Sequence, residues 1–218
     1  RSLAMEIDPA AADHLLSTTR AVRKRLDFDR PVPREVIDDC LRLAMQAPTG
    51  SNRQEWRWVV VSDADRRAKL GDIYRKGVGR YLDESLAAAR AAGDNLNARI
   101  FDSARYLAEN IERAPVHVIA CMERDFGDVP KGLAPIGAMG SVFPAVWSFQ
   151  LALRARGLGT CLTTLHLEFA DEAAALLELP DDFLQVALLP VAYTVGTDFK
   201  AARRRPFEET ARWERWGR

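Results

Sequence analysis

The sequence predicts a layered domain in which helices pack against a β-sheet, that is, the α/β or α+β class. Two observations carry this prediction. Short apolar runs rich in β-branched residues alternate along the chain with longer segments that have helical spacing. The 218 residues are 48% hydrophobic, which is enough to bury a full core in one large domain. We therefore expect a single domain over residues 5–218; residues 1–4 precede a methionine, resemble an expression remnant and are given no weight.

The first half of the chain alternates helix and strand. Residues 33–46 place apolar side chains at helical spacing behind a proline that suits a first helical turn. After a loop at 47–56, the run "WRWVVV" is continuous and apolar, as in a strand covered on both faces. A second helix begins with the capping residues of "SDADRRAKLGDIYRK". Residues 81–113 are mostly helical, with a polar break around 93–95.

The second half repeats this alternation. "PVHVIACM" (115–122) predicts a buried strand, and the glycine- and proline-rich stretch 126–140 predicts a long loop. Residues 141–155 predict a helix that is apolar on most sides, which places it in the domain centre or in a subunit interface. The last twenty residues are polar but carry two tryptophans, so we expect them to pack on another surface. A short strand, a helix and a long strand are predicted at 160–165, 169–179 and 183–196.

Charge and composition argue against several function classes. Lysine plus arginine and aspartate plus glutamate number 31 each, so no net basic field attracts a nucleic acid or an anionic membrane. The longest apolar run, near 186–196, is too short to span a bilayer, and no signal peptide is apparent. The cysteines and histidines lack metal-ligand spacing, and the cysteines lie in apolar runs, as reduced thiols of a cytoplasmic protein do. These residues are Cys40, Cys121, Cys161, His14, His117 and His166.

Three separated segments predict a site for one anionic, ring-bearing ligand. In "TTRAVRKRL", Arg20 and Arg23 share one face of a helical turn and could hold a phosphate; a solvated basic face is the alternative. The loop "APTGSNRQEW" supplies hydroxyls and side-chain amides that match the mixed edge of a pyrimidine or flavin; an ordinary polar turn is the alternative. The third segment is "ARRRPFEE", for which a solvated tail is the alternative.

These segments, in this order, resemble the nitroreductase family of FMN enzymes. The resemblance rests on "RAVRKRL", "VPREVIDDCLRLAMQAPTGSNRQEWRWVVV", "SVFPAVWSFQLALRARGLGTCLTTL", "LLPVAYTVG" and "RRRPFEE". It covers residues 15–216 apart from a poorly matched region at 75–135. It implies an α+β, nitroreductase-like fold with a central, mostly antiparallel sheet flanked by helices. It also implies an intertwined homodimer with FMN at the subunit interface and a C-terminal arm wrapped around the partner.

The resemblance further implies that FMN binds non-covalently and carries the chemistry, so no catalytic side chain and no metal are expected. Arg20 would lie near the phosphate and Arg23 near N1 and O2 of the ring, where a cation stabilises the reduced flavin. Asn52 would lie nearest N5, and Arg204 would bind the phosphate. The full set implied is Arg20, Ala21, Val22, Arg23, Ser51, Asn52, Gln54, Leu162, Thr163, Thr164, Leu165, Arg204 and Arg205.

Four positions depart from the family pattern. Thr19 stands where many members carry arginine and Ala21 where they carry serine, so phosphate binding would be weaker or borrowed from Arg205. Ala202 occupies a place often held by lysine. Glu55 replaces the usual proline, which removes a rigid residue from the loop and adds negative charge near the site.

The implied function is a cytoplasmic oxidoreductase. It would take hydride from NADH or NADPH and pass electrons to a nitroaromatic, quinone or similar small acceptor, with ping-pong kinetics. No G-x-G-x-x-G fingerprint follows a strand, so a separate dinucleotide-binding domain is not expected. His166 follows the flavin-lining threonines and could touch ligand, whereas His117 is expected in the core.

Several alternatives remain open. Within flavin chemistry they are a dehalogenase of iodinated tyrosines and an enzyme that fragments the flavin itself. Outside it they are a flavin-binding protein for storage or sensing, without turnover, and a nucleotide- or phosphate-binding module without flavin.

Overall fold

The structure is a computed structural model that describes residues 6–124 and 134–216. The helices are α1 (Pro9–Thr18), α2 (Arg34–Ala44), α3 (Ala64–Val78), α4 (Tyr81–Ala91), α5 (Asn95–Asn110), α6 (Ala134–Ala155), α7 (Ala170–Leu177) and α8 (Phe207–Thr210). The strands are β1 (Leu26–Asp27), β2 (Trp56–Val61), β3 (Val116–Glu123), β4 (Leu158–Thr160) and β5 (Phe183–Thr194). Short 3-10 turns occur at Gly50–Asn52, Ile111–Arg113 and Leu165–Phe169.

The sheet is antiparallel in every pairing of the described strands. Its order is β1-β5-β3-β2, and β4 also pairs with β5. The long strand β5 is therefore the centre of the sheet, because its twelve residues contact three other strands. This arrangement, with helices on both faces, confirms the predicted α+β class with an antiparallel sheet.

Two hydrophobic layers cover the two faces of the sheet. Because successive side chains of a strand point to opposite faces, Val118 and Ala120 of β3 face one layer while Ile119 faces the other. The first layer is built on α2 and α6, with Phe149 fully buried. The second is built on α3 and α5, with Leu107 fully buried. The apolar faces of the predicted helices thus pack against the sheet, as their apolar spacing predicts.

Four predictions about local structure were wrong. Arg20 and Arg23 do not share a face of a helical turn, because α1 ends at Thr18 and the residues that follow are not helical. The strand predicted at 160–165 instead covers Leu158–Thr160, and a 3-10 turn begins at Leu165. Among the described strands β2 has a neighbour on one side only, and its residues Arg57 and Val60 are exposed, which shows that the strand is not covered on both faces. The predicted loop at 126–140 is helical from Ala134 onward, because α6 begins there despite two glycines and a proline. The first part of that predicted loop lies outside the described residues.

Residues 81–110 of the poorly matched region form a helical pair whose break lies where the sequence predicts it. Helix α4 ends at Ala91 and α5 begins at Asn95, with Gly93 between them at a φ of 68°. The Asp94 carboxylate then caps α5 by accepting a hydrogen bond from the Asn97 backbone N–H at 3.0 Å.

Helix α6 is the one described helix that is long and apolar enough to cross a membrane by length and composition, over Ile136–Ala155. In this fold 44% of that window is buried inside the protein, and a core helix passes the same test. Val142, Ala145 and Phe149 turn toward the sheet, while Trp147 is partly exposed. One side of this helix therefore packs in the core of the chain, which is one of the two placements that the sequence left open.

Candidate functional site

The loop between α2 and β2 has an unusual backbone. Ser51, Asn52 and Gln54 adopt the left-handed conformation, with φ of 51°, 55° and 54°. Non-glycine residues rarely adopt this conformation, and such clusters occur where surrounding structure over-determines the backbone, often at functional sites. Two of the hydrogen bonds that hold the loop involve side chains: the Gly50 N–H donates to Ser141 Oγ at 3.2 Å, and the Gln54 N–H donates to Thr49 Oγ1 at 3.3 Å.

This backbone presents the predicted ring-edge residues to solvent. The side chains of Ser51, Asn52 and Gln54 are all exposed. Gln54 Nε2 donates to Asn52 Oδ1 at 3.1 Å, which aligns the two amides beside each other. The pair therefore offers both donors and acceptors to a ligand edge.

Glu55, which stands where the resemblance leads us to expect proline, is buried and ion-paired. Its side chain is 11% exposed and its Oε1 lies 2.5 Å from Nε of Arg53. Its carbonyl oxygen accepts a hydrogen bond from the Glu123 N–H at 3.0 Å. The carboxylate charge is therefore offset within the loop, and the residue fixes the end of the loop to β3.

The N-terminal basic segment holds the start of the C-terminal tail. Nη1 of Arg20 donates to the Lys200 carbonyl at 2.8 Å. Arg25 donates to the Val195 carbonyl at 2.8 Å and pairs with Asp198 at 2.6 Å. These contacts lead the tail toward Arg203, Arg204 and Arg205, which follow immediately in the chain.

An aromatic side chain fixes the same segment from within. The ring of Phe199 contacts two guanidinium groups, with Arg25 4.2 Å and Arg154 4.8 Å from its centroid. Arg154 also donates to the Thr197 carbonyl at 2.9 Å. We call these three side chains, Arg25, Phe199 and Arg154, the tail clamp. Sequence reasoning missed the clamp, since the arginines that contact Phe199 are distant from it in sequence.

Arg23 lines a small pocket of about 200 Å³ beside the tail clamp. It is half-buried, and its Nη1 lies 3.4 Å from Ser103 Oγ. It also lies beside Cys161, whose thiol has its pKa raised to about 11 by burial, with Arg23 acting in the opposite direction. In contrast, Val22 is a core residue whose N–H bonds to the Thr160 carbonyl at 2.9 Å, and Ala21 is exposed.

The segment 162–165 is divided between core and surface. Thr163 is buried, and its hydroxyl donates to the Leu188 carbonyl at 2.8 Å while its backbone also pairs with Leu188. The hydroxyl and backbone groups of Thr163 are thus used in hydrogen bonds to β5. Leu165 packs into the core, whereas Leu162 and Thr164 are the exposed members of the segment.

The C-terminal arginines are available cations. Arg203, Arg204 and Arg205 are all exposed, and no carboxylate of the described residues pairs with them. The one side-chain hydrogen bond found for Arg204 is a 3.3 Å contact to the neighbouring Arg203 carbonyl. Arginine forks suit phosphate, so this end of the site can take an anion.

A single chain does not bring the two groups of predicted residues together. The ring-edge loop is tied to Ser141 near the start of α6, and the tail clamp uses Arg154 near its end. At ~1.5 Å rise per residue these anchors lie about 20 Å apart along the helix. Separate anchors thus hold the two groups of predicted residues in one chain, and we call these groups the two half-sites.

The two histidines near these elements are buried and neutral. Burial lowers the pKa of both His117 and His166 to about 4. Nε2 of His117 lies 2.8 Å from the Ile111 carbonyl, as expected of a core residue, although its Nδ1 lacks a partner. Neither nitrogen of His166 has a hydrogen-bond partner among the described residues, and its side chain is fully buried. Among the described residues no cluster of histidine, cysteine and acidic side chains could hold a metal ion.

Comparison with known proteins identifies relatives over most of the chain. A family model described as "Nitroreductase family" matches residues 16–193. Iodotyrosine deiodinase of Danio rerio is 28% identical over 189 residues, which cover 82% of this chain and 58% of that protein. The chain therefore spans less than two thirds of the length of this relative. The 4-nitrobenzoate reductase of a Nocardioides species is 26% identical over 195 residues, covering 78% of this chain and 75% of that protein.

A solved structure has the same fold. Oxidized iodotyrosine deiodinase bound to FMN and 3-iodo-L-tyrosine superposes with a TM-score of 0.69 at 21% identity. The match covers 92% of this chain and 98% of that one. At this identity the likeness establishes the fold alone.

Proposed function

This chain belongs to the nitroreductase family, and we propose that it is an FMN-dependent oxidoreductase that uses NADH or NADPH to reduce a nitroaromatic, a quinone or a similar small acceptor. The observation that carries the proposal is the pair of half-sites. One presents exposed amides on a left-handed loop, and the other presents arginines without carboxylate partners beside a second basic segment. FMN has a heterocycle edge and a phosphate, which are the two chemistries that these half-sites accept.

The residues present fit FMN in kind. Asn52 and Gln54 supply donors and acceptors for the edge of the flavin ring, and Arg204 and Arg205 supply charge-assisted donors for the phosphate. Arg23 places a cation in the pocket between the basic segment and α5. When bound, the flavin accepts hydride from the nicotinamide and passes electrons to the acceptor. The protein's part is to bind, orient and electrostatically tune it.

No side chain is assigned as a nucleophile or proton donor. Burial raises the pKa of the Cys40, Cys121 and Cys161 thiols to about 11, 12 and 11, so they remain protonated. His117 and His166 are buried and neutral. We therefore assign no nucleophilic or proton-donating role to these thiols and imidazoles, and the proposal leaves the chemistry to the flavin.

The proposal includes a homodimer with the flavin at the interface. The two half-sites of one chain are tied to anchors about 20 Å apart on α6, so a complete site needs the loop of one copy and the arginines of the other. The tail supports this assembly, because Trp213 and Trp216 are 81% and 86% exposed in the single chain. Large apolar rings left in solvent next to a structured tail suit a surface that a partner covers.

Reductive dehalogenation of iodinated tyrosines is the second candidate. It is supported by the similarity to the iodotyrosine deiodinase of Danio rerio. Both candidates share the flavin site and differ in the acceptor that it serves.

The visible spectrum of the purified protein, before and after addition of FMN and then NADPH under nitrogen, tests the common part of the proposal. Flavin bands that bleach on reduction support a flavin oxidoreductase, and bleached protein can then be offered a quinone, 4-nitrobenzoate and 3-iodotyrosine in parallel. The acceptor that restores the bands fastest decides between the two candidates. A protein that binds flavin but is not reduced by either coenzyme would instead indicate storage or sensing. A colourless protein that takes up no FMN would refute the flavin site.

A further inference from the structure

A second basic cleft lies between α4 and α5, outside the two half-sites. Its volume is about 590 Å³, and its walls are Arg90 from the last turn of α4 and Asn95, Ala98, Arg99 and Asp102 from α5. Asn95 and Arg99 are four residues apart and so lie on one face of the helix. The cleft therefore has two guanidinium groups and one amide on its walls.

The charge of the cleft is positive. Arg99 is exposed and makes no ion pair with any described carboxylate, and Arg90 has a single contact, 3.9 Å from Asp102. The carboxylate of Asp102 is already engaged, because Lys24 Nζ lies 2.5 Å from it. Arg105 lies 3.6 Å from the same carboxylate. The positive charge of Arg105 is also offset by Asp83 and Glu109, which lie close to its guanidinium group. The two arginines on the walls are thus left to attract an anion.

The cleft adjoins the basic segment of the proposed flavin site. Asp102 lines the cleft, and the next residue, Ser103, lines the small pocket beside Arg23. Lys24 connects the two, since it follows Arg23 in the chain and its ammonium group bonds to Asp102. An anion bound in the cleft would therefore lie beside the flavin site and not on a remote surface.

The geometry points to this cleft as the site for the 2′-phosphate of NADPH, with Arg99 and Arg90 as the residues that select NADPH over NADH. The inference rests on the proposed function, and it names the coenzyme of that same site. A phosphate monoester carries a charge of about −1.5 to −2 near pH 7 and three acceptor oxygens. Arginine forks bind such groups through paired N–H donors, and the Asn95 amide adds a further donor. NADH has a hydroxyl in place of this phosphate and gains nothing from the two cations.

Direct binding tests the cleft without relying on turnover. Adenosine 2′,5′-bisphosphate and adenosine 5′-monophosphate differ only in the 2′-phosphate, so calorimetric titration of the FMN-loaded protein with each isolates its contribution. We expect the bisphosphate to bind at least tenfold more tightly, and Arg99→Ala or Arg90→Ala to remove most of that difference. Arg34→Ala is the matched control, because Arg34 has a side chain 90% exposed and pairs only with Asp38 on its own helix.

Kinetics provide the second readout. In Arg99→Ala, kcat/KM for NADPH should fall about tenfold more than kcat/KM for NADH, mainly through KM. Equal binding of the two nucleotides, no detectable binding of the bisphosphate, or an equal fall for both coenzymes would overturn the assignment. A loss of FMN affinity in Arg99→Ala would also overturn it, because the cleft would then hold the flavin's own phosphate. Failure of the proposed function is a separate result, namely a protein that takes up no FMN or whose flavin neither coenzyme reduces.

Discussion

The ring-edge loop and the tail clamp are held in place by opposite means. The loop depends on its own backbone: three left-handed residues within four positions, closed by short-range hydrogen bonds and one bond to Ser141. The tail clamp depends on side chains from distant parts of the chain, with Arg25 and Arg154 both in contact with the ring of Phe199. The loop's left-handed backbone was not predicted, but its hydroxyls and side-chain amides can be recognised in a short stretch of sequence. An element built on long-range cation–π contacts cannot.

The largest expected effect of breaking the tail half is on flavin affinity. Arg204→Ala should weaken FMN binding by about 1.5 to 3 kcal/mol, because a charge-assisted hydrogen bond to the phosphate is lost. Fluorescence titration of apoprotein with FMN measures the change. Arg212→Ala is the control, since Arg212 is an exposed arginine of the same tail that bonds to backbone carbonyls. Equal affinities in Arg204→Ala and wild type would remove Arg204 from the site.

Acid should weaken the scaffold under both regions. Burial lowers the pKa of His117 and His166 from 6.5 to about 4, so the unfolded chain binds more protons between these values. The free energy of unfolding is therefore highest above pH 6.5 and falls as the pH drops toward 4. Between pH 7.5 and 5 each histidine should account for a loss of about 2 kcal/mol. Urea denaturation at both pH values measures it, and His166→Leu should halve the dependence; an unchanged slope in that variant would contradict the assignment.

Removing the ring of the tail clamp should loosen the tail while leaving the domain folded. Phe199→Ala deletes two cation–π contacts, each worth about 0.5 to 1 kcal/mol at such a site. We expect amide exchange over 195–200 to accelerate and FMN affinity to fall several-fold. Phe207→Ala, which removes an exposed ring further along the tail, serves as the control. Unchanged exchange at 195–200 would show that Arg20 and Arg25 alone hold the segment.

The smallest expected effect is on the stability of the ring-edge loop, and it comes from replacing a left-handed residue by glycine. Ser51→Gly should raise the free energy of unfolding by about 0.5 to 1 kcal/mol, because glycine adopts the left-handed conformation without the cost that serine bears. Thermal denaturation gives the change. Ser62→Gly is the control, since Ser62 is exposed and does not have a positive φ. A stability loss in both variants would mean that the left-handed backbone is not a source of strain.

The sequence by itself determined the layered class, most of the helices and strands, and the chemical character of the ring-edge loop. These follow from local properties: the spacing of apolar residues in α2, the cap and break at 93–95, and the crowding of amides and hydroxyls at 49–54. Local patterns do not state which strand lies at an edge. For this reason β2 was expected to be covered on both faces and is not. Glycine and proline composition likewise misassigned residues 134–140, where packing of α6 in the core outweighs weak helix propensity.

Only the tertiary structure decided which of the predicted site residues have free polar groups. The hydroxyl of Thr163 bonds to the Leu188 carbonyl, and the N–H of Val22 bonds to the Thr160 carbonyl. Both partners are distant in sequence, so neither contact could be predicted from adjacent residues. Glu55 is offset by Arg53, and Phe199 becomes an anchor because two arginines from separate elements converge on it. The separation of the two half-sites along α6 is also a property of the fold. The residue type determines which chemistry a side chain can perform. Whether its polar groups are free to bind a ligand depends on contacts with residues far away in the sequence, and these contacts are set only by the fold.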